Sequence, residues 1–177
     1  VAVEPQLFVV LEPRRGTDEI MVASEGSSDN VSAARWDGDV WTNITVITNR
    51  TVSAPNQEDF SIAWESLSGD AMVAWGATVT ANYTKFNRTS LDWNSEGLIR
   101  DRGAVTSVAQ ITICSNPQTD QIGAIMGPDS AGDVIAAIWN GTDWEPELQA
   151  PGEEGGGEVI ATKGVFCSWT NNTNVAL

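Results

Sequence analysis

The sequence contains no histidine, one tyrosine, two cysteines and only nine lysines and arginines. The absence of histidine excludes Ser-His-Asp and Cys-His nucleophile systems and removes the commonest metal ligand. The 24 acidic residues leave a net charge of −15, so the surface repels nucleic acid and anionic membranes. No apolar run approaches the roughly 18 residues of a membrane-spanning helix. We therefore expect a protein that is not an enzyme, has no cofactor or metal, and neither binds nucleic acid nor inserts into a membrane.

Several features point to the cell exterior. The chain begins at Val1, which predicts a mature chain whose signal peptide has been removed. Seven Asn-X-Ser/Thr sequons predict covalent N-glycans on an extracellular or cell-surface protein. The alternative is that a β protein rich in threonine and asparagine matches this short motif by accident. The seven sequons begin at Asn30, Asn43, Asn49, Asn82, Asn87, Asn140 and Asn171.

An internal repeat is the most informative feature of the sequence. Residues 31–41 read VSAARWDGDVW and residues 134–144 read VIAAIWNGTDW, while Lys85–Trp93 forms a looser copy with two extra residues. Each copy follows two short apolar segments that are separated by a turn signal. The unit is therefore strand, turn, strand, turn, strand, Trp-Asx-Gly-type turn and a weaker fourth strand, over about 52 residues.

This unit predicts an all-β fold with pseudo-repeats near residues 7–58, 59–108, 109–160 and 161–177. We expect one domain over residues 1–177, an antiparallel β-barrel or sandwich, with a β-propeller-like arrangement as the alternative. The fourth unit reaches only its second strand at Leu177. The chain would therefore close on itself as a barrel or take a missing strand from a partner.

The segment Phe60–Gly76 (FSIAWESLSGDAMVAWG) and the Trp-Asx-Gly-X-X-Trp turns at Trp36–Trp41 and Trp139–Trp144 carry a resemblance. They resemble a group of uncharacterised secreted prokaryotic β-repeat surface proteins, some of which are similar to fibre subunits that polymerise by donor-strand exchange. The resemblance covers most of residues 7–148. It implies an extracellular structural protein and no catalytic residue. The middle copy departs from the pattern, because Phe86 replaces the first Trp and the turn lacks Gly.

A second resemblance is to propeller lectins and to the Asp-box turns of sialidases. Gly38–Trp41 and Gly141–Trp144 keep the Gly-X-X-Trp end of such a turn but not its Ser-X-Asp start. A sialidase also needs an arginine cluster and a Tyr-Glu nucleophile pair. Tyr83, the one tyrosine, lies within a sequon, so the resemblance implies sugar binding rather than catalysis.

Three groups of residues are candidates for structural or binding roles. Cys114 and Cys167 lie about one repeat apart and are predicted to form a disulfide, the alternative being two buried thiols. The tryptophans of the turns either cap the hydrophobic layer of each repeat or stack on sugars. Aspartates near the turns either shape the turn or bind calcium. The tryptophans are Trp36, Trp41, Trp139 and Trp144, and the aspartates are Asp37, Asp39, Asp70, Asp133 and Asp143.

The N-terminal run is apolar at every position from Leu7 to Leu11. We expect residues 1–11 to act as a donor strand that enters a neighbouring subunit, so that the protein forms a homopolymeric, helical, pilus-like filament. A competing account pairs the run with Glu19–Ala23 or Val165–Thr170 of its own chain. The alternative function is a carbohydrate-binding, lectin-like β-repeat module at the cell surface. The assembly strand consists of Leu7, Phe8, Val9, Val10 and Leu11.

Overall fold

The computed structural model describes residues 5–49, 59–77, 80–94, 96–101, 108–128, 134–145, 166–169 and 175–176. The regular secondary structure in these ranges consists of β-strands alone, so the all-β prediction is confirmed. None of the described segments forms a helix that is long and apolar enough to cross a membrane.

The strands form antiparallel sheets that follow one another along the chain. The first sheet contains β1 (Gln6–Pro13), β2 (Ile20–Gly26), β3 (Asn30–Trp36) and β4 (Trp41–Asn49). The second sheet contains β5 (Phe60–Trp64), β6 (Ala71–Gly76), β7 (Thr80–Asn87), β8 (Asp92–Trp93) and β9 (Gly97–Asp101), with both β8 and β9 paired to β7. The third sheet contains β10 (Val108–Ser115), β11 (Ile122–Pro128) and β12 (Ile135–Trp139). A final pair consists of β13 (Ser168–Trp169) and β14 (Val175–Ala176).

The sheets match the predicted repeat units, and their separation favours the propeller-like alternative over a barrel. Within the described ranges the strand ladders pair only strands of the same sheet, and the sheets are otherwise joined by scattered hydrogen bonds such as that from Ser66 N–H to the carbonyl oxygen of Thr119, whereas a barrel needs one continuous sheet. The first strands of successive sheets contact one another: β1 with β5, β5 with β10, and β10 with β13. The sheets therefore pack against one another in chain order, with their first strands next to each other.

Two hydrophobic cores lie between neighbouring sheets. The first interface, between the first and second sheets, buries Met21 and Val31 against Phe60, Trp75 and other residues of the second sheet. The second interface joins the second and third sheets through a separate cluster that includes Met72, Ile111, Ile122 and Met126. The second sheet is covered on both faces. This explains why all six positions of β6 are buried and why its sequence AMVAWG shows no polar alternation.

The predicted assembly strand lies in β1 and pairs with β2 of the same chain, in register Val9 with Ser24 and Leu11 with Val22. This pairing is the competing account of the sequence analysis. Phe8 and Val10 pack against the first core, whereas Leu7, Val9 and Leu11 are 41–54% exposed on the other face. One face of the strand is therefore covered within the chain. Transfer of this strand to a neighbouring subunit stays a prediction.

Cys114, near the end of β10, forms a disulfide with Cys167, which directly precedes β13. Their Cα atoms are 5.9 Å apart across 53 residues of sequence. The indole Nε1 of Trp169 also donates to the carbonyl oxygen of Cys114 at 2.8 Å. Together these contacts attach the β13 segment to the third sheet.

We predict that replacing both cysteines (C114A/C167A) lowers the free energy of unfolding by about 4 kcal/mol. The physical reason is the conformational entropy that the unfolded chain regains when a loop of this length is no longer closed. Urea unfolding followed by tryptophan fluorescence measures the change. Added reductant provides the control. It should leave the urea midpoint of the double variant unchanged, because that variant has no disulfide to reduce. Equal midpoints for the wild-type protein and the variant would contradict the prediction.

Candidate functional site

Three equivalent turns define equivalent positions in the three sheets. The side-chain Oδ1 atoms of Asp37, Asn87 and Asn140 each accept the backbone N–H groups two and three residues later, at 2.9–3.0 Å. Such turns are a standard use of Asp and Asn. The residue before each turn is therefore equivalent in the three sheets, and it is always aromatic: Trp36, Phe86 and Trp139.

Strand register shows that two further positions are equivalent in the first and second sheets. Arg35 and Lys85 directly precede the aromatic residues, and each lies opposite a methionine of the preceding strand. Two residues earlier the sheets differ, because Ala33 of the first sheet corresponds to Tyr83 of the second. The two interfaces thus share a basic residue but differ in the side chain beside it.

At the second interface, Lys85 lies between carboxylates of its own sheet and an aromatic ring of the next. Its Nζ is 3.1 Å from Asp70 Oδ2, 3.4 Å from Glu65 Oε1 and 5.6 Å from the ring centroid of Trp139. The indole Nε1 of Trp139 donates to Glu65 Oε1 at 2.7 Å across the interface. This charge-assisted contact fixes the orientation of the tryptophan ring.

The pKa values of Glu65 and Lys85 are both raised, but for different reasons. Burial raises the pKa of Glu65, and this effect outweighs the hydrogen bonds from Ser68 and Trp139 and the charge of Lys85. Burial alone would lower the pKa of Lys85, but Glu65 and Asp70 outweigh it and raise that pKa. Lys85 is therefore a firmly charged donor at neutral pH.

A cavity of about 460 Å³ opens at the second interface beside this group. Its wall combines two aromatic rings with side chains that can donate or accept hydrogen bonds, the combination that typifies small-molecule sites. The residues come from β7, from the segment between β8 and β9 and the start of β9, and from the end and following turn of β12. They are Tyr83, Lys85, Asn94, Glu96, Gly97, Trp139, Gly141 and Thr142.

The two aromatic rings of the wall belong to a cluster of three, which Trp144 completes from outside the cavity lining. Tyr83 lies 5.5 Å from Trp139 and 5.9 Å from Trp144, centroid to centroid, and the two tryptophans are 5.8 Å apart. Gly97 leaves room for the tyrosine, because a Cβ at this position would lie 2.5 Å from Cε1 of its ring. Burial raises the pKa of Tyr83, and the charge of Asp143 adds to the effect, so the hydroxyl stays protonated.

The first interface has the same framework, but a side chain crosses it. Arg35 lies 5.9 Å from the ring centroid of Phe86 and is hydrogen-bonded to Glu19. Arg88 occupies the position that Gly141 has in the third sheet, directly after the turn asparagine. Its Nε reaches back to Oε2 of Glu19 at 3.0 Å. A glycine with φ of 101° and no side chain leaves the second interface open at this point.

Glu19 holds three arginines together. Burial alone would raise the pKa of its carboxyl, but hydrogen bonds from Arg35, Arg14 and Arg88 outweigh that effect and lower the pKa from 4.5 to about 2. Arg14 Nη1 lies 2.6 Å from Oε2. Because Arg88 belongs to the second sheet, this ion cluster also joins the two sheets.

The tryptophans predicted from the turns separate into two groups. Trp139 lines the cavity and Trp144 packs against Tyr83, so this turn contributes to the site. Trp36 and Trp41 contact each other at 5.5 Å in the first sheet and lie outside the cavity, with Trp41 44% exposed. All four therefore make aromatic contacts within their own repeat or with its neighbour.

Sequence reasoning missed Tyr83, Lys85, Asn94 and Glu96 as site residues. Tyr83 stands out in the sequence only through its sequon and as the one tyrosine, Lys85 begins the looser copy of the repeat, and Asn94 and Glu96 lie outside any recognised motif. One feature of the sequence could have indicated Lys85. A basic residue directly precedes the aromatic residue of the turn in two repeats, as Arg35 and as Lys85.

The acidic turn residues serve the turns and the ion pairs. The carboxylate of Asp37 accepts the N–H groups of Asp39 and Val40, and these bonds lower its pKa. Asp70 binds Lys85 and accepts the backbone N–H of Arg88 at 2.9 Å. Asp133 lies outside the described residues. Within the described ranges, no three Asp, Glu or Cys side chains converge as a metal site.

The sequons are spread over the sheets. Asn30, Asn43 and Asn49 lie in β3 and β4, Asn82 and Asn87 in β7, and Asn140 in the turn after β12. Asn43 donates from Nδ2 to the carbonyl oxygen of Leu91 at 2.6 Å, a contact between the first and second sheets. Asn171 lies outside the described residues. Attachment of glycans stays a prediction.

Comparison with known proteins gives structural likeness alone. No protein-family model matches the chain, and no curated protein matches. Among solved structures, the BP39L lectin from Burkholderia pseudomallei matches with a TM-score of 0.59 and 16% identity, over 91% of this chain and 44% of that protein. The AofleA protein from Arthrobotrys oligospora, as an arginine-to-alanine triple mutant, matches with a TM-score of 0.54 and 13% identity, over 80% and 42%.

The Aleuria aurantia lectin also matches, in a variant bound to alpha-methyl-L-fucoside, with a TM-score of 0.54 and 14% identity over 77% of this chain and 42% of the lectin. Another structure of that lectin is described as a six-bladed β-propeller with a novel mode of fucose recognition. These matches support the propeller-like arrangement of the sheets. The chain spans less than half the length of these proteins.

We predict that Gly97→Ala displaces the Tyr83 ring from the cavity wall, because the added methyl group overlaps the ring. Overpacking of this kind typically costs about 1–3 kcal/mol of stability. Chemical unfolding measures the loss, and a change in tryptophan fluorescence reports the altered contact with Trp139. L98A, at an exposed position next to Gly97, is the control. A variant with wild-type stability and spectrum would contradict the described packing.

We predict that Glu19 makes stability depend on acidity. Its folded-state pKa lies below the unfolded value, so its contribution is complete above pH 4.5 and is lost as the pH falls towards 2. The loss amounts to about 3 kcal/mol. Unfolding free energies measured across this range should fall less steeply for E19Q than for the wild-type protein.

The neighbouring exposed carboxylate provides the control for this experiment. D18N should retain the wild-type pH profile, since Asp18 makes no ion pair in the described cluster. A pH profile of E19Q that parallels the wild-type profile between pH 4.5 and pH 2 would show that Glu19 is not held ionised by the three arginines.

Proposed function

We propose that this protein is a carbohydrate-binding, lectin-like β-repeat protein, and that the cavity at the second interface is its sugar site. The observation that carries the proposal is the convergence of Tyr83 and Trp139 with hydrogen-bonding groups in one cavity between neighbouring sheets. The proposed activity is binding without catalysis.

The wall of the cavity suits the two surfaces of a sugar ring. A pyranose has a face of C–H groups, which packs on aromatic rings, and an edge of hydroxyl groups, which need hydrogen-bond partners. Tyr83 supplies ring surface and a hydroxyl. Lys85 supplies N–H donors, Glu96 supplies acceptors, and Asn94 supplies both.

The volume of the cavity and the charges around it indicate which class of ligand it could bind. A cavity of about 460 Å³ lies at the small end of the range for ligand sites, which fits one or two sugar residues. Lys85 is already paired with Glu65 and Asp70, and Glu96 adds another negative charge at the rim. This electrostatic environment favours a neutral sugar. One matching structure of the Aleuria aurantia lectin is a complex with alpha-methyl-L-fucoside, so methyl α-L-fucoside is a rational first probe.

An extracellular location forms part of the same proposal, since sequons and a disulfide suit an oxidising compartment. The interpretation as a pilus-like filament subunit is not supported by the comparisons, in which the reported structures include fucose-binding lectins. The carbohydrate-binding alternative of the sequence analysis is the better supported of the two functions.

Calorimetric titration with methyl α-L-fucoside, extended to an array of neutral glycans, tests the proposal. We expect Y83A to weaken binding by about tenfold or more, because it removes both the ring face and the hydroxyl. Y83F keeps the ring and should retain most of the affinity.

The exposed tryptophan of the first sheet provides the matched control. W41A removes an aromatic ring outside the cavity and should leave the affinity unchanged. Absence of binding to every neutral glycan tested, or equal binding by Y83A and the wild-type protein, would contradict the proposal. A loss caused by W41A instead would move the site to the Trp36–Trp41 pair.

A further inference from the structure

The first interface concentrates positive charge in a strongly acidic protein. Three of the nine basic residues, Arg14, Arg35 and Arg88, converge on the single carboxylate of Glu19. The direct contacts therefore leave two positive charges unbalanced. The molecule as a whole carries a net charge of −15.

The equivalent group at the second interface has the opposite balance. There one basic residue, Lys85, faces two carboxylates, Glu65 and Asp70. The two positions share the framework of a basic residue under an aromatic ring, so the difference in charge comes from two added arginines at the first interface and one added carboxylate at the second. Arg14 belongs to the turn before β2, and Arg88 replaces the glycine found at the second interface.

The arginines retain donors that Glu19 does not use. A guanidinium group carries five N–H bonds, whereas Arg14 and Arg88 each donate one hydrogen bond to the carboxylate of Glu19. The side chains of Arg14 and Arg88 are 18% and 42% exposed, while that of Arg35 is 8% exposed. Solvent and a ligand can therefore reach the cluster from the side of Arg88.

Other acidic groups near the cluster are already engaged. Asp70 accepts the backbone N–H of Arg88 through Oδ1, but its Oδ2 is paired with Lys85. The carboxylate of Asp37 is exposed and accepts two N–H groups of its own turn. Neither forms an ion pair with the guanidinium groups of the cluster in the described part of the chain.

A fork of guanidinium donors matches the oxygens of a carboxylate or a sulfate. We propose that the first interface is a second saccharide site, which binds the carboxylate or sulfate group of an acidic sugar through Arg88 and Arg14. This inference rests on the proposed carbohydrate-binding function. It assigns the neutral sugar to the second interface and the acidic sugar to the first.

Methyl β-D-glucuronide and methyl β-D-glucoside are the direct probes, because they differ only in a carboxylate in place of a hydroxymethyl group. In titrations at low salt, we expect the glucuronide to bind about tenfold or more tightly than the glucoside. Added salt should weaken only the glucuronide. Methyl glucoside 6-sulfate, in a parallel titration, distinguishes a preference for sulfate from one for carboxylate.

Variants locate the binding and separate it from a purely structural ion cluster. R88A should abolish the preference for the glucuronide, and R88K, which keeps the charge but loses the fork, should restore only part of it. R15A removes an exposed arginine of the same β1–β2 turn and should leave the preference intact. Thermal unfolding of each variant confirms that the protein tested is folded.

The outcomes distinguish this inference from the proposed function. Equal affinity for glucuronide and glucoside, or a preference that survives R88A, would show that the arginine cluster only joins the sheets. That result would leave binding of neutral sugar at Tyr83 untouched. Conversely, the protein could fail to bind every neutral sugar tested and still prefer the glucuronide in a way that R88A abolishes. That result would overturn the proposed site at the second interface and leave this inference standing.

Discussion

The first three sheets of this protein are joined in sequence by a basic side chain held between a carboxylate and an aromatic ring. Arg35 pairs with Glu19 of its own sheet and faces Phe86 of the next, and Lys85 pairs with Asp70 and faces Trp139. A buried charge is stable only when it is paired and hydrogen-bonded, so both contacts must be kept for the sheets to close on each other. The spacing of the sheets, and with it the space between them, depends on this arrangement.

Two substitutions within the common framework give the interfaces different properties. Where the first sheet has Ala33, the second has Tyr83, which adds an aromatic wall. Where the second sheet has Arg88, the third has Gly141, which leaves the space open. One interface is consequently crossed by a positively charged side chain, and the other contains a cavity with polar and aromatic walls. The repeats share one backbone framework, and differences at single positions give the interfaces their different candidate binding groups.

The repeat and the strands followed from sequence because each unit carries local signals, such as the apolar run FSIAW and the turn asparagine Asn140. Two architectures stayed open, since the pattern does not show whether a strand pairs beyond its own unit. The site was not predictable from local patterns. Its central contact, Glu65 with Trp139, joins residues 74 positions apart. Likewise the apolar run Leu7–Leu11 suggested burial on both faces, whereas β1 is covered on one.

We propose that the space between the second and third sheets holds a sugar. A crystal structure of the protein with methyl α-L-fucoside, or with the neutral glycan that binds best on the array, is the decisive experiment. We expect electron density for a pyranose against Tyr83 and Trp139, with hydroxyl groups within hydrogen-bond distance of Lys85, Asn94 or Glu96. Density on the exposed face at Trp41, or an empty cavity at saturating ligand, would contradict it.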